Sequence, residues 1–211
     1  MLDNFAQRLI EPALTRVARQ LVRINVTANQ LTLAGFAIGL LAALLIAQRA
    51  YGAGLALLLL SRLCDGLDGA VARQTQPSDR GGFLDITLDF IFYAAVVLAF
   101  AFAEPAANAL AAAALLAGFM GTGSSFLAFA VIAAKRQMGK QMPSGKSFYF
   151  LGGLTEGTET LGFFVAMCLW PAQFALLAWI FAGLCAVTSA ARVVSGYKAF
   201  DRAQRALQSG P

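Results

Sequence analysis

Leu58-Leu59-Leu60-Ser61-Arg62-Leu63-Cys64-Asp65-Gly66-Leu67-Asp68-Gly69-Ala70-Val71-Ala72-Arg73 reads as a membrane-spanning helix with two carboxylates inside it. A second pair, Asp85 and Asp89, follows in the next apolar segment, so two carboxylate pairs fall within 25 residues. A carboxylate at the centre of a transmembrane helix costs at least about 2.5–3.5 kcal/mol even on lenient insertion scales. Crowding four together adds mutual repulsion. Bound cations offset both costs, and hard carboxylate oxygens favour Mg²⁺, Mn²⁺ or Ca²⁺. The cluster points to metal-assisted chemistry at a membrane face.

Composition agrees with the membrane setting. The chain has 211 residues, of which 59% are hydrophobic and only 13% charged, and its mean hydropathy is +0.69. These values exclude an ordinary soluble domain. The net charge of +5 does not indicate nucleic acid as a partner, because the basic residues are dispersed between apolar segments. The chain contains no histidine, which excludes His-based triads, proton shuttles and metal ligands. Cys64, Cys168 and Cys185 lack metal-ligand spacing and read as buried, reduced thiols. The long, charged, amphipathic N-terminal region does not resemble a cleavable signal peptide.

The expected fold is all-α and integral to the membrane. Six apolar segments approach the roughly 20 residues needed to cross a bilayer. They fall near 28–48, 53–75, 82–103, 106–134, 147–170 and 173–195. Ahead of them, Pro12 to Ile24 has Leu14, Val17, Leu21 and Ile24 at helical spacing, with Arg16, Arg19 and Arg23 as a basic face. Such a juxtamembrane helix lies along the headgroup layer or packs on the protein's own cytoplasmic face. The expected organisation is a juxtamembrane segment at 1–26, a six-span domain at 27–196 and a cytoplasmic tail at 197–211.

Lys and Arg placement sets the expected orientation. Basic residues crowd the N-terminus, the second-to-third connection, the fourth-to-fifth connection and the tail, while the other side has only Arg49. Both termini and the acid cluster are therefore expected to be cytoplasmic, in a bacterial inner membrane. The Gly35/Gly39 and Gly153/Gly157 pairs, and the Gly121, Gly123, Ser124, Ser125 cluster, suit close helix approach.

Asp65 and Asp68 are three apart and Asp85 and Asp89 four apart, so each pair shares a helix face. A short turn makes the second and third spans antiparallel neighbours, with the two pairs facing each other. Gly69 and Ala72 leave room beside the acids, and Arg73 supplies a fork suited to phosphate. Acids for two metals, space for a ligand and an Arg for phosphate together suit phosphoryl transfer.

As a string this is Asp65-xx-Asp68-Gly69-xx-Ala72-Arg73, seven residues, then Gly81-xxx-Asp85-xxx-Asp89. It resembles the signature of the CDP-alcohol phosphotransferase family at eight positions. The six-span layout with a juxtamembrane helix extends the resemblance over nearly the whole chain. Thr27-Ala28-Asn29-Gln30-Leu31-Thr32 resembles the family's Thr-Pro-Asn-xx-Thr stretch, with Ala28 in place of Pro.

The resemblance implies transfer of a substituted phosphate from a CDP-linked donor, often CDP-diacylglycerol, to an alcohol, with release of CMP. It implies that Asp65, Asp68 and Asp85 hold two Mg²⁺ or Mn²⁺ ions. Asp89 would contact a metal and deprotonate the acceptor hydroxyl. Gly69, Ala72, Arg73 and Gly81 would line the nucleotide and phosphate site, with Asn29, Thr32 and Ser78 nearby. The expected partners are CDP-diacylglycerol or another CDP-linked donor, an alcohol acceptor and membrane lipids. A homodimer is left open.

A second group of intramembrane charges lies outside this signature. Glu156 and Glu159 fall in the fifth span, and Arg62 lies one turn from Asp65, at a depth matching Glu156. An Arg62–Glu156 ion pair is the structural reading, and an acceptor pocket for polyol hydroxyls is the functional one. Lys135, Arg136, Lys146 and Arg192 are candidates to bind a phosphorylated acceptor, set against simple topology and headgroup attraction. Competing functions are a cation transporter or channel using the acids, and a membrane protein that binds CDP-lipid without turnover.

Overall fold

The computed structural model describes residues 2–136 and 157–208, with side chains described for 10–136 and 157–201. All regular structure in the described residues is helical. Helix α1 spans Leu2–Arg23, α2 Ala28–Ala47, α3 Tyr51–Gln74, α4 Asp79–Ala103 and α5 Pro105–Lys135. After residues 137–156, α6 spans Gly157–Leu169, a 3₁₀ turn Pro171–Gln173, and α7 Phe174–Gln208.

Four stretches are long and apolar enough to cross a membrane: Ala28–Ala47, Asp79–Ala103, Pro105–Lys135 and Pro171–Asp201. This is fewer than the six segments read from the sequence. The expected second span exists as the 24-residue α3, but Arg62, Asp65, Asp68 and Arg73 dilute its hydropathy. The expected fifth span is described only from Gly157, as the 13-residue α6.

Helix ends follow local chemistry. Thr27 caps α2 with a reciprocal box: its Oγ1 accepts from Gln30 N, and Gln30 Oε1 accepts from Thr27 N. This box starts the helix without the proline that Ala28 replaces. Asn25 makes the preceding turn at φ 59°, a left-handed conformation that asparagine tolerates better than most residues. Ser78 caps α4 by accepting from Gly81 N at 3.1 Å. Pro105 sits in the first turn of α5, where no amide donor is needed.

Helix α2 packs on α3 and α4, α5 on α7, and α1 on α3. Small residues permit the closest approaches. A Cβ at Gly35 would meet Cys64 Cβ at 2.9 Å, and one at Gly39 would meet the Phe92 ring at 2.5 Å. A stack of aromatic rings fills the core. Phe100 lies on Phe174 with centroids 4.6 Å apart, and Phe163 on Phe181 at 4.3 Å.

A helix covers Pro12–Arg23 of the expected amphipathic segment and begins earlier, at Leu2. Its apolar residues divide between two surroundings. Ala18 is buried against Ala70 and Val71 of α3, with Leu14 and Leu21 alongside. Val17 and Ile24 face outward, as do Arg16, Arg19 and Arg23.

The two ends of the bundle differ. At one, Arg49 donates through Nε to Ala103 O at 3.0 Å and pairs with Glu104 at 3.2 Å. This ties the α2–α3 turn to the α4–α5 turn. The stacked rings of Tyr51, Phe100 and Phe174 bring the α6–α7 connection to the same end. At the other end, the α1–α2 and α3–α4 turns border a single cleft.

Candidate active site

That cleft has a volume of about 630 Å³. Its floor is formed by Asp68, Gly69 and Ala72 of α3 and Asp85 of α4. Asn29 and Thr32 of α2, with Ser78 and Gly81 at the start of α4, form its wall. Seven residues read from the sequence as flanking a nucleotide or phosphate thus include six that share one cavity. The seventh, Arg73, is exposed at the end of α3, near enough that a Cβ on Gly69 would meet its Nη1 at 3.4 Å.

Gly69 and Gly81 matter here because of space rather than conformation. A Cβ at Gly81 would press on Asn29 Oδ1 and Ser78 Oγ at 3.1 and 3.2 Å. The bare glycine keeps the cleft wall open and lets α2 and α4 meet.

Asp68 and Asp85 of the floor converge with Asp65, which lines the adjoining niche: each offers one carboxylate oxygen, all within 4.8 Å of one another. This donor set fits a hard divalent cation: all-oxygen, anionic, with no histidine in the chain. Thr32 Oγ1 lies 2.6 Å from Asp68 Oδ2, donating to a nearly buried carboxylate and fixing its orientation. That bond links α2 to α3 at the level of the acids.

Asp89 is placed differently from the other three. It lies one turn beyond Asp85 and lines a niche of about 10 Å³ with Asp65, Asp85 and Thr32. Its Oδ1 accepts from Arg62 Nη1 at 2.7 Å. The same nitrogen lies 3.3 Å from Asp65 Oδ1. The sequence suggested Glu156 as the partner of Arg62. Glu156 lies outside the described residues, and within them Arg62 is engaged by Asp89 and Asp65. Depth matching missed this because partner choice depends on helix rotation. The guanidinium is held on its other sides by Ser61 Oγ at 3.3 Å and the Phe92 ring, whose centroid is 4.1 Å from Cζ. No local pattern marked Ser61 or Phe92 as part of this arrangement.

The basic acceptor candidates are dispersed. Lys135 is exposed at the end of α5. Arg136 donates to Phe200 O at 3.0 Å, which joins α5 to α7. Arg192 Nη1 donates to Thr122 O at 3.1 Å, beside a crevice of about 150 Å³ that also touches Tyr93, Phe126 and Thr160. Tyr93 is near Arg62 as well, at 5.8 Å from ring centroid to Cζ, so this crevice approaches the acids from the α5–α7 side. Lys146 lies outside the described residues, as does Gly153.

The fold and the site define a class: an apolar helical bundle with helices long enough to cross a membrane, and at one end a cleft beside a carboxylate cluster that could hold a metal ion. The chain belongs to the CDP-alcohol phosphatidyltransferase family, whose model matches residues 25–191. It is 53% identical over 205 residues to inner membrane protein YnjF of Escherichia coli (strain K12), covering 97% of this chain and 100% of that one. It is 38% identical over 103 residues to an archaetidylinositol phosphate synthase of Pyrococcus horikoshii, covering 48% of this chain and 54% of that protein.

Its fold is similar to crystal structures of Mycobacterium tuberculosis phosphatidylinositol phosphate synthase (PgsA1). The structure with CDP-DAG bound superimposes with a TM-score of 0.63 at 23% identity, covering 87% of this chain and 93% of that one. The structure in complex with manganese and citrate gives 0.60 at 22% identity, covering 87% and 88%.

Proposed function

We propose that this chain transfers a substituted phosphate, phosphatidyl in the first instance, from a CDP-linked lipid to an alcohol, releasing CMP. The observation that carries the reading is the floor of the cleft. There, Asp68 and Asp85 converge with the adjoining Asp65 into a group that could hold a cation, directly beside the small residues of the family signature. A CDP-DAG complex of a protein of similar fold supports the donor class, and a manganese complex supports the cation.

Asp65, Asp68 and Asp85 would hold the metal, with Thr32 fixing Asp68. Bound there, one or two Mg²⁺ or Mn²⁺ ions would offset the charge of the acids and of the donor diphosphate. Gly69, Ala72 and Gly81 give the nucleotide room, Asn29 and Ser78 offer polar contacts, and Arg73 reaches the phosphates from the rim. The acceptor hydroxyl attacks the lipid-bearing phosphorus, its proton passes to Asp89, and the bond to CMP breaks. A positioned base of this kind contributes about 10²–10⁴-fold. Arg192 is the best placed of the basic candidates to receive an anionic acceptor. The inositol-phosphate products named for two relatives support a phosphorylated polyol as its class.

The same reading extends to topology. Helix α3 would cross the membrane as well, with Arg62, Asp65 and Asp68 turned inward toward α2 and α4. On this reading the spans number six, and α1 would lie along the cytoplasmic headgroups with Val17 and Ile24 toward lipid. The name of the Escherichia coli relative supports the inner membrane.

The test is product identification. Purified protein in nanodiscs would receive labelled CDP-diacylglycerol with a panel of alcohols, including glycerol 3-phosphate, inositol phosphate, inositol and serine. One alcohol should yield a new phosphodiester lipid by mass spectrometry and CMP in equal amount. A stable donor with every alcohol and cation offered would overturn the proposal.

A further inference from the structure

We propose that the outward face of α1 binds anionic lipid headgroups, and that lipid bound there steadies the half of α3 that carries the acids. Such a surface needs α1 at the level of the headgroups, as proposed above. It adds to the transferase reading a preference for negatively charged membrane.

The face is built of two parallel strips. Arg16, Arg19 and Arg23 form one, at spacings of three and four, and all three are exposed. Ile10, Val17 and, just past the helix end, Ile24 form the other, seven apart and also exposed. A helix face turned to water has no use for an apolar strip. A basic strip beside an apolar one is the pattern of a helix half sunk in a headgroup layer. Charge decides the kind of lipid. Between residues 10 and 24 three arginines stand against one acid, Glu11. Each cation near an anionic surface favours binding about fivefold, whereas a zwitterionic surface attracts only the apolar strip.

The opposite face of α1 supports α3 from behind. Leu14 lies on Gly66, its Cδ1 3.1 Å from where a Cβ would stand. Ala18 is buried against Ala70, and Gln74 Nε2 donates to Thr15 O at 3.0 Å. Gly66, Ala70 and Gln74 recur at four-residue spacing and so share one side of α3. Asp68, Gly69 and Ala72 line the cleft from its other side. The end of α1 reaches the cleft itself, because Val22, Asn25 and Val26 line it too. Fixing α1 to the membrane therefore fixes both the back of α3 and one lip of the cleft.

The experiment is hydrogen exchange read by mass spectrometry, on wild type and on the triple variant Arg16→Gln, Arg19→Gln, Arg23→Gln. Each would be placed in nanodiscs of phosphatidylcholine alone or of phosphatidylcholine mixed with phosphatidylglycerol. Nanodiscs present lipid at both faces, so the result does not depend on which side of a cell membrane α1 occupies. Amides of residues 10–26 in the wild type should exchange about tenfold more slowly in the anionic discs, three fivefold factors reduced by screening. A smaller slowing should reach residues 66–74, and high salt should abolish both. The triple variant should keep its fold and lose the slowing, while the matching Arg→Lys triple should retain it. In parallel, CMP release by the wild type should rise about fivefold or more in the anionic discs, the low end of coupling between two sites. Turnover of the Gln variant should match wild type in phosphatidylcholine and gain nothing from the anionic lipid. Equal exchange in the two kinds of disc would overturn the proposal and leave the face to a protein partner. A slowing that the Gln variant retains would overturn it as well. If the triple variant does not fold, Arg19→Gln with Arg23→Gln carries the same comparison. Should the wild type release no CMP in either disc, the transferase reading fails, and exchange at residues 10–26 and 66–74 still decides whether anionic lipid acts through α1.

Discussion

Gly39→Ala tests whether the packing of α2 against α3 and α4 sustains the site. A Cβ at this position would lie 2.5 and 2.8 Å from Phe92 Cδ2 and Cε2 and 2.9 Å from Ser61 Oγ. Carbon atoms prefer about 3.5–4.0 Å, so something must move by about 1 Å. Neither neighbour yields easily. Phe92 is fully buried, edge-on to Phe164, and Ser61 is held by Gly35 O. Overpacking of this kind costs about 1–3 kcal/mol. The strain also reaches the chemistry, because Phe92 lies under Arg62 and Arg62 holds Asp89. Unfolding by SDS titration in mixed micelles, followed by circular dichroism, should show the loss, and turnover should fall with it. Gly183→Ala on α7 is the control, since a Cβ there meets nothing within 4 Å. Replacing that glycine should leave stability unchanged or raise it by up to about 1 kcal/mol through helix propensity. Gly39→Ala with wild-type stability and turnover would refute the reasoning.

Three further outcomes follow from the same geometry. Thr32→Val keeps the shape but removes a hydrogen bond to a charged group, so stability should fall by about 1.5–3 kcal/mol. Mn²⁺ binding should weaken, and Thr32→Ser should restore both. Glu104→Gln removes the partner of Arg49 in a pair that is 61% and 49% exposed at the end away from the cleft. Stability should change by less than about 1 kcal/mol, with turnover unaffected. In a variant lacking Cys64, Cys168 and Cys185, a cysteine replacing Arg49 should react with an impermeant thiol reagent outside intact cells, and one replacing Arg80 should not. Preferential labelling at position 80 would reverse the proposed orientation.

The acids were legible because of where they stood. Asp65, Asp68 and Asp85 are conspicuous in an apolar chain, and their three- and four-residue spacing fixes a shared face. Thr32 and Asn29 were legible only beside the family stretch, since a threonine or asparagine at a helix start more often just caps it. In this chain that task falls to Thr27 with Gln30. The pairing of Arg62 with Asp89 was not legible. Periodicity gives depth along a helix, but which side chain meets a buried Arg depends on the rotation of each helix about its axis. That rotation is set by contacts such as Gly39 on Phe92. Spans were read well where hydropathy is uniform, as in α2, α4 and α5. Helix α3 falls short of that pattern for the same reason that it matters, because Arg62, Asp65 and Asp68 stand within it and face inward.

The most direct measurement is CMP release from CDP-diacylglycerol by purified protein whose metal content has been determined by elemental analysis. The account predicts no turnover after EDTA treatment, recovery on adding Mg²⁺ or Mn²⁺ with the acceptor alcohol, and no recovery in Asp68→Asn. Full turnover by protein shown to be free of metal would contradict it.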